Sequence, residues 1–170
     1  MTSDGVAFSS PEDGDLRGDP EARRRVSARL GIPEHWATLK QVHGHGGRAG
    51  DVGEGDALVT AVPDLPLAVF TADCLGVVLH GPGVVGVAHA GWRGLAAGVI
   101  EGTIRRMEQM VTAPTRARIG PGIGPCCFEV GEDVAQVFPE DLSTTTWGTR
   151  SVDLRAAAAR RLGGIDVAID

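Results

Sequence analysis

Three side chains that could carry chemistry each stand at the end of a short apolar run. They are His43 in QVHGHGG, Cys74 in FTADCLG and His89 in VAHAGWRG. Two imidazoles and a thiolate are suitable ligands for a borderline-soft ion such as zinc or copper, and three protein ligands leave one position open for water or substrate. The same residues also suit a nucleophile system in which a histidine accepts the thiol proton. Residue types and spacing leave both interpretations open.

The remaining histidines and cysteines have weaker patterns. His35, His45 and His80 have no partner that the sequence identifies, and we expect surface or packing roles for them. Cys126 and Cys127 are adjacent, and a single short tether strains chelation of one ion, so we expect packed thiols there. The candidate site is therefore limited to the first three residues.

A glycine-rich stretch, AGWRGLAAG, follows the last of these histidines and leads into a predicted helix. Unpaired amides at a helix start and an arginine both favour an anion, which makes Arg93 a candidate phosphate contact. Alternatively, the glycines only permit a tight strand-to-helix turn while Trp92 fills the core. A second punctuated stretch, RIGPGIGPCCFEV, is typical of a pocket wall and lacks the Lys-Ser/Thr of a P-loop.

Composition excludes several classes of protein. The chain has 170 residues with 42% hydrophobic content, enough for one substantial core. Its 22 acidic residues against 16 basic ones give a net charge of −6, without the clustered basic face that nucleic-acid binding requires. No apolar stretch approaches the length of a membrane span, and three cysteines without a CxxC pair argue against a disulfide framework. We therefore expect a cytoplasmic protein without nucleic-acid or membrane partners.

The elements that must position the candidate residues are short apolar runs rich in Val, Leu and Ala, bounded by Gly, Pro or Asp. Such runs are typical of mostly buried strands. We predict strands in WATLKQV, DALVTAV, LAVFTA, LGVVLHG, VVGVAHA, RARIG and IDVAID. LGVVLHGPGVVGVA indicates a hairpin through Gly81, Pro82 and Gly83, so we expect a mixed sheet.

Four segments have helical patterns. GDPEARRRVSARLGIP predicts a helix with Asp19 as its N-cap, Pro20 at its first position and Gly31 at its end. GLAAGVIEGTIRRMEQMV predicts one amphipathic helix. Its apolar face is expected to contain Leu95, Val99, Gly102, Met107 and Val111. With helices in VGEDVAQVF and SVDLRAAAARRLG, the pattern predicts one α/β or α+β domain over 1–170, with a mixed sheet flanked by helices.

Five motifs, taken in order, carry a resemblance to a known family. They are QVHG, ALVT, TADC, VAHAGWRGLAAGV and GPGIGPCCFEV. Together they resemble the laccase-domain family, also called YfiH-like or multicopper polyphenol oxidoreductase, whose bacterial members are also described as peptidoglycan editing factors. The likeness extends from about Gly18 to Leu162. It implies a mixed α/β fold similar to the catalytic domain of cytotoxic necrotizing factor.

Carried over motif by motif, the resemblance implies a site residue by residue. His43, Cys74 and His89 would be both the catalytic residues and the ligands of a metal, usually zinc, with copper as the alternative. Gln41, in the same motif as His43, and Arg93, in the GWRG motif, are expected to contact the substrate. His45 is then a loop residue.

The resemblance also implies an activity, with a nucleoside and phosphate as the small-molecule partners. It is phosphorolysis of adenosine, inosine and methylthioadenosine, with adenosine deamination as a second activity. Polyphenol oxidation ranks lower, because a multicopper oxidase needs many more histidines than the five present here. Two other classes remain as alternatives. One is a cysteine hydrolase or amidase acting on peptidoglycan-derived amides, with Cys74 as nucleophile and His89 as base, and the other is a non-catalytic relative.

Two features depart from the family's pattern. Gly76 stands where the family usually has proline, which changes turn geometry more than chemistry. The sequence stops at Asp170, whereas family members generally continue into a segment with a Cys-Thr pair and an arginine-rich stretch. We therefore expect a laccase-like domain without that segment, and poor turnover if the segment closes the pocket or contacts phosphate.

Overall fold

The computed structural model describes residues 5–44, 49–50 and 53–170, so the predicted loop residue His45 lies outside the described residues. The strands are β1 (Ala49–Gly50), β2 (Ala57–Thr60), β3 (Leu75–Gly81), β4 (Val84–Ala90), β5 (Arg116–Ile119), β6 (Leu142–Thr144), β7 (Arg150–Val152) and β8 (Asp166–Ile169). The α-helices are α1 (Pro20–Leu30), α2 (Trp92–Ala96), α3 (Val99–Met110), α4 (Glu132–Ala135) and α5 (Leu154–Arg161). Short 3-10 turns cover Pro11–Asp13 and Pro139–Asp141.

Six strands form one sheet in the order β1-β2-β4-β3-β5-β8, and β6 and β7 form a separate hairpin. The pairs β1–β2 and β5–β8 are parallel, while β2–β4, β3–β4 and β3–β5 are antiparallel. The predicted single α/β domain with a mixed sheet is therefore confirmed. The predicted β3–β4 hairpin is also confirmed, and its turn places Gly83 at φ +74°, where glycine avoids a steric cost.

The main core lies between the sheet and helices α3 and α5. Alternate residues of β3 point into it, so Leu75, Val77 and Leu79 are fully buried. Helix α3 approaches β4 closely at Gly86, where an added Cβ would lie 2.9 Å from the Thr103 side chain. A smaller cluster on the opposite face contains Leu39, Leu58 and Val87, with Leu67, Val69 and Val78 packed against it.

The ends of α1 and α5 follow from their capping residues. Asp19 accepts a hydrogen bond from the Glu21 amide, and Gly31 ends α1 in the left-handed conformation at φ 67°, which confirms the prediction for this helix. The predicted helix in SVDLRAAAARRLG starts only at Leu154, because Asp153 caps it and the preceding residues pair in β7.

The prediction of one long amphipathic helix in GLAAGVIEGTIRRMEQMV is wrong, because the structure has two helices there. The chain forms the five-residue α2, turns at Gly98 in the left-handed conformation (φ 78°), and continues as α3. Glycine ends a helix readily in this conformation, and the hydrophobic period alone does not register the break. Leu95, Val99 and Met107 are buried as expected, whereas Val111 lies beyond α3 and is half exposed.

Strands were also wrongly predicted in WATLKQV and LAVFTA. In the described structure these segments make only isolated bridges, between Ala37 and Leu67 and between Lys40 and Glu54. Their apolar residues, including Leu39 and Val69, instead cover the second face of the sheet. Burial of a loop against a sheet therefore produced the same sequence pattern as a buried strand.

Among the described residues, no helix is both long enough and apolar enough to cross a lipid bilayer.

Candidate metal centre

Three residues from separate segments converge at one end of the sheet. The ligand atoms of His43, Cys74 and His89 all lie within 4.8 Å of one another. The rings of His43 and His89 meet edge to face, with their centroids 4.6 Å apart. The structure thus brings together the three residues that the sequence singled out, in a group that could hold a metal ion.

The β3–β4 register explains how Cys74 reaches His89. Gly76 pairs with His89 in this ladder, and alternate residues of a strand share a face, so Cys74 lies on the same side as His89. Gly91 opposes Cys74 just beyond the last ladder pair, and a Cβ at that position would lie 2.8 Å from Cys74 Sγ. The glycine therefore provides the space that the thiol occupies.

A buried carboxylate holds both histidines from the other side. Asp56 stands one residue before β2, is 2% exposed, and lies opposite His89. Its Oδ1 is 2.9 Å from His89 Nδ1, and its carbonyl accepts from the His89 amide at 2.7 Å. The carboxylate also accepts from the His43 amide at 3.1 Å and the Gly44 amide at 2.8 Å. One side chain therefore orients a histidine ring and fixes the loop that carries the second histidine.

The backbone of His43 adopts a conformation that few non-glycine residues adopt. Its φ is +50°, in the left-handed region. The two amide hydrogen bonds to Asp56 hold the loop in this conformation. Such outliers persist only where the surroundings determine them, and they cluster at functional sites.

Burial and hydrogen bonding define the charge states of Asp56 and His89. Burial lowers the pKa of His89, and this effect exceeds the opposing hydrogen bond to Asp56. Burial alone would raise the pKa of Asp56, but the hydrogen bonds that it accepts, the largest from the Gly44 amide, together lower it. An ionised Asp56 therefore faces a neutral His89, and the hydrogen-bond network assigns the proton to Nδ1 and the lone pair to Nε2.

Cys74 is held as a neutral thiol by the protein alone. Burial raises the pKa of its thiol, and the negative charges of Asp73 and Asp56 raise it further. A neighbouring cation would reverse this effect, because a coordinating thiol is deprotonated. The three side chains therefore offer two nitrogen donors and one sulfur donor, and a bound cation would displace the thiol proton.

A cavity of about 130 Å³ opens beside these three residues. Its wall is completed by Gly91, Trp92, Arg93 and Gly94. The guanidinium of Arg93 lies 4.3 Å from the centroid of the Trp92 ring, and Trp92 packs partly against the main core. Because α2 has only five residues, an anion in this cavity would depend on the Arg93 side chain more than on a helix dipole.

Gln41 connects the segments that carry the site residues. Its Oε1 accepts from the Phe70 amide and its Nε2 donates to the Phe70 carbonyl, both at 2.8 Å. Arg17 lies over the Phe70 ring at 5.1 Å and donates to Gln41 Oε1 at 3.4 Å. These contacts fix the chain just before His43 against the chain that leads to Cys74.

Sequence reasoning missed two residues near the site. Asp56 had a usable signal, since it is an acidic residue directly before the ALVT motif at a strand end. Arg17, whose positive charge helps to lower the pKa of His89, had none, because only the tertiary fold places the N-terminal segment here.

The other residues considered in the sequence lie outside this cluster. His35 is exposed, and His80 is half-buried on β3. The prediction that Cys126 and Cys127 are packed thiols is wrong, because both are exposed. They lie in a surface turn, where glycine and proline spacing reflects backbone geometry and not burial.

Comparison with known proteins gives the relatives of this chain. A purine nucleoside phosphorylase (ORF3) of Streptomyces griseus is 38% identical over 175 residues, covering 91% of this chain and 71% of that protein. A purine nucleoside phosphorylase of Deinococcus radiodurans is 44% identical over 133 residues, covering 73% of this chain and 52% of that protein. The chain thus spans between about half and seven-tenths of the length of these two relatives.

Solved structures and a family model agree with this relationship. YlmD from Geobacillus stearothermophilus has a TM-score of 0.78 and 28% identity, with 97% of this chain and 75% of that chain covered. The Neisseria meningitidis protein NMB0706 has a TM-score of 0.72 and 32% identity, with 96% and 75% covered. Residues 14–170 match the model described as multi-copper polyphenol oxidoreductase laccase. As its motifs predicted, the chain belongs to this laccase-like family.

Proposed function

We propose that the chain is a metal-dependent purine nucleoside phosphorylase that acts on adenosine, inosine and methylthioadenosine, with adenosine deamination as a second activity. The observation that carries the proposal is the convergence of His43, Cys74 and His89 within 4.8 Å beside a cavity that Arg93 also lines. The phosphorylase names of the Streptomyces griseus and Deinococcus radiodurans relatives support it. We place this activity in the cytoplasm, on small-molecule substrates.

The donor set suits a resident metal ion held by His43, Cys74 and His89. Zinc is our choice because it accepts mixed nitrogen and sulfur ligands and keeps a fourth position open in catalytic sites, and copper is the alternative. The contact between Asp56 and His89 matches the usual support of a metal-bound imidazole, in which a carboxylate orients the ring. When bound, the ion would supply positive charge next to the reacting atoms.

Arg93 is proposed to hold the phosphate. Phosphorolysis joins a phosphate oxygen to C1′ of the ribose, and the bond from C1′ to the purine breaks with its electron pair and a proton going to the base. A guanidinium can bind two phosphate oxygens at once, and the Trp92 ring beneath Arg93 restricts its side-chain motion. Such positioning lowers the barrier because less freedom is lost at the moment of reaction.

Gln41 is proposed as a second substrate contact. A side-chain amide has two N–H donors, and the carbonyl of Phe70 takes one of them. The second N–H is the group that we assign to the substrate. Because the amide is held by both Phe70 hydrogen bonds, this donor has a defined direction.

The cysteine hydrolase alternative is less compatible with the site. A nucleophilic cysteine needs a depressed thiol pKa, usually from a neighbouring positive charge. Burial and two neighbouring carboxylates raise the pKa of Cys74, and His89 is held neutral by its own burial. The protein groups alone therefore disfavour the thiolate that such a mechanism requires.

The test uses the purified protein with its metal content determined. Adenosine or inosine is incubated with and without phosphate, and free base, ribose 1-phosphate and deaminated nucleoside are separated by chromatography. We expect base release that requires phosphate and is matched by ribose 1-phosphate, with loss of activity after chelation. Base release that is independent of phosphate, or activity that survives chelation and is lost on thiol alkylation, would contradict the proposal.

A further inference from the structure

Cys126 and Cys127 form a thiol pair in an exposed turn outside the metal centre. Both side chains are exposed, and their sulfur atoms lie 2.8 Å apart. In a strand, adjacent side chains point to opposite faces. Here the amides of Cys127 and Phe128 both donate to the Gly124 carbonyl at 3.1 Å, which closes the turn and brings the two thiols to one side.

The β6–β7 hairpin anchors this turn through two hydrogen bonds, one to the carbonyl before Cys126 and one to the carbonyl before Cys127. Ser151 Oγ donates to the Pro125 carbonyl at 2.5 Å, and the Thr146 amide donates to the Cys126 carbonyl at 2.8 Å. These contacts hold the backbone in place, so the two thiols are already close together before any ligand binds. A ligand that both sulfurs can reach therefore meets a largely prepared site.

A disulfide is a poor fit for this pair. Disulfides usually join residues whose Cα atoms are about 4.4 to 6.8 Å apart, while adjacent Cα atoms across a trans peptide are about 3.8 Å apart. Closing the bond would also need an oxidant. An ion with bonds of about 2.3 Å to sulfur accepts two sulfurs roughly 3.5 to 3.8 Å apart, which side-chain rotation alone can provide.

The number of protein ligands available beside Cys126 and Cys127 decides what these two thiols can bind. Closed zinc sites need about four protein ligands. Among the described residues, His43, Cys74 and His89 form the only group of three or more metal-ligating side chains, so the Cys126–Cys127 pair has no such third partner there. A trivalent organic arsenical meets this condition, because its arsenic atom needs only two sulfur ligands from the protein and already carries one organic group.

We propose that Cys126 and Cys127 form a vicinal dithiol site that binds one trivalent organic arsenical through both sulfur atoms, separately from the His43–Cys74–His89 centre. Phenylarsine oxide is the probe. In this reaction the arsenic–oxygen double bond and two S–H bonds break, and two arsenic–sulfur bonds form. The oxygen leaves as water with both thiol protons, and no atom changes its oxidation state.

The experiment titrates the purified full chain with phenylarsine oxide and measures stoichiometry by native mass spectrometry, with affinity from competition against a small dithiol. We expect one arsenical per chain, located on the 126–127 peptide, in the parent protein and equally in Cys74→Ser. Cys126→Ser and Cys127→Ser should each bind roughly 100-fold more weakly, because the second bond of a chelate forms intramolecularly. Circular dichroism checks that each variant is folded.

Three outcomes would overturn the proposal. Undiminished affinity in folded Cys126→Ser and Cys127→Ser would place the arsenical elsewhere. Loss of arsenical binding in folded Cys74→Ser would show that the arsenical binds at the metal centre. Isolation of the chain with a disulfide that joins residues 126 and 127, persists in mild reductant and prevents arsenical uptake would show that the pair forms a disulfide instead.

Discussion

The three cysteines of this chain occupy two regions with opposite surroundings. Cys74 is half-buried beside two imidazoles, and Asp56 accepts hydrogen bonds from both histidine residues. Cys126 and Cys127 are exposed, and the nearest partner of each thiol is the other thiol. The same functional group is therefore part of a mixed nitrogen and sulfur site in one region and of a purely sulfur site in the other. The neighbours, more than the thiol itself, therefore determine which ligand each region suits.

The largest effect is expected from removing a histidine of the metal centre. His89→Ala deletes the most buried of the three proposed ligands and should reduce metal content to near zero. Phosphorolysis should fall by roughly 1,000-fold or more, as it does when one member of a catalytic unit is lost. Metal analysis and base release measure the two effects.

The exposed His35 provides the matched control, since His35→Ala removes an imidazole outside the cluster. This variant should keep full metal content and activity, and His89→Ala should still take up one arsenical. Retention of metal by His89→Ala would show that the metal is not held by the His43–Cys74–His89 group.

Arg93 tests the anion contact without disturbing the metal. Arg93→Ala should cost phosphorolysis about 2 to 4 kcal/mol of transition-state stabilisation, roughly 30- to 1,000-fold in rate. Metal content and adenosine deamination should stay nearly unchanged, because neither depends on the bound phosphate. Steady-state kinetics with varied phosphate give the measurement, and Arg105→Ala, an exposed arginine on α3, is the control. Unchanged phosphorolysis in Arg93→Ala would require the phosphate to bind elsewhere.

Asp56 tests whether a second layer of the structure defines the metal centre. Asp56→Asn keeps the shape of the side chain, but it replaces one carboxylate oxygen by a donor that would face an amide or the His89 N–H. We expect metal affinity to fall about 10- to 100-fold, which a competing chelator would measure. The exposed Asp73→Asn, beside Cys74, should have a much smaller effect. Equal affinities for the two variants would show that the carboxylate does not orient the site.

The smallest expected effect concerns the space beside Cys74. In Gly91→Ala the new methyl would lie 2.8 Å from Cys74 Sγ, so the thiol must shift, whereas the backbone φ of −72° suits alanine. We expect a loss of stability of about 1 to 3 kcal/mol, typical of overpacking, together with weaker metal binding. Thermal unfolding of the metal-free protein measures the loss of stability, and the additional stabilisation in the metal-loaded protein reports metal binding.

Gly76→Ala is the control for that substitution. A Cβ at Gly76 would make only ordinary contacts, at 3.8 Å with Val69 and 3.9 Å with Thr71. Its melting temperature should therefore stay close to that of the parent. If the two variants behaved alike, the close approach of Gly91 to the thiol would not matter.

The sequence alone determined those features whose cause is local. The β3–β4 hairpin depends on the Gly-Pro-Gly turn, and α1 depends on Asp19, Pro20 and Gly31, all of which act within a few residues. The positions of His43, Cys74 and His89 at the ends of apolar runs, together with their motifs, also sufficed to select them as candidates.

Only the tertiary structure decided which distant groups meet. Asp56 became the support of both histidines because the β2–β4 register sets it opposite His89, and register depends on the whole sheet. The segments WATLKQV and LAVFTA became covering loops because the second sheet face needed apolar residues, which a one-dimensional pattern cannot distinguish from strand pairing. The exposure of Cys126 and Cys127 likewise follows from where the chain turns against β6 and β7, a contact between segments about 20 residues apart.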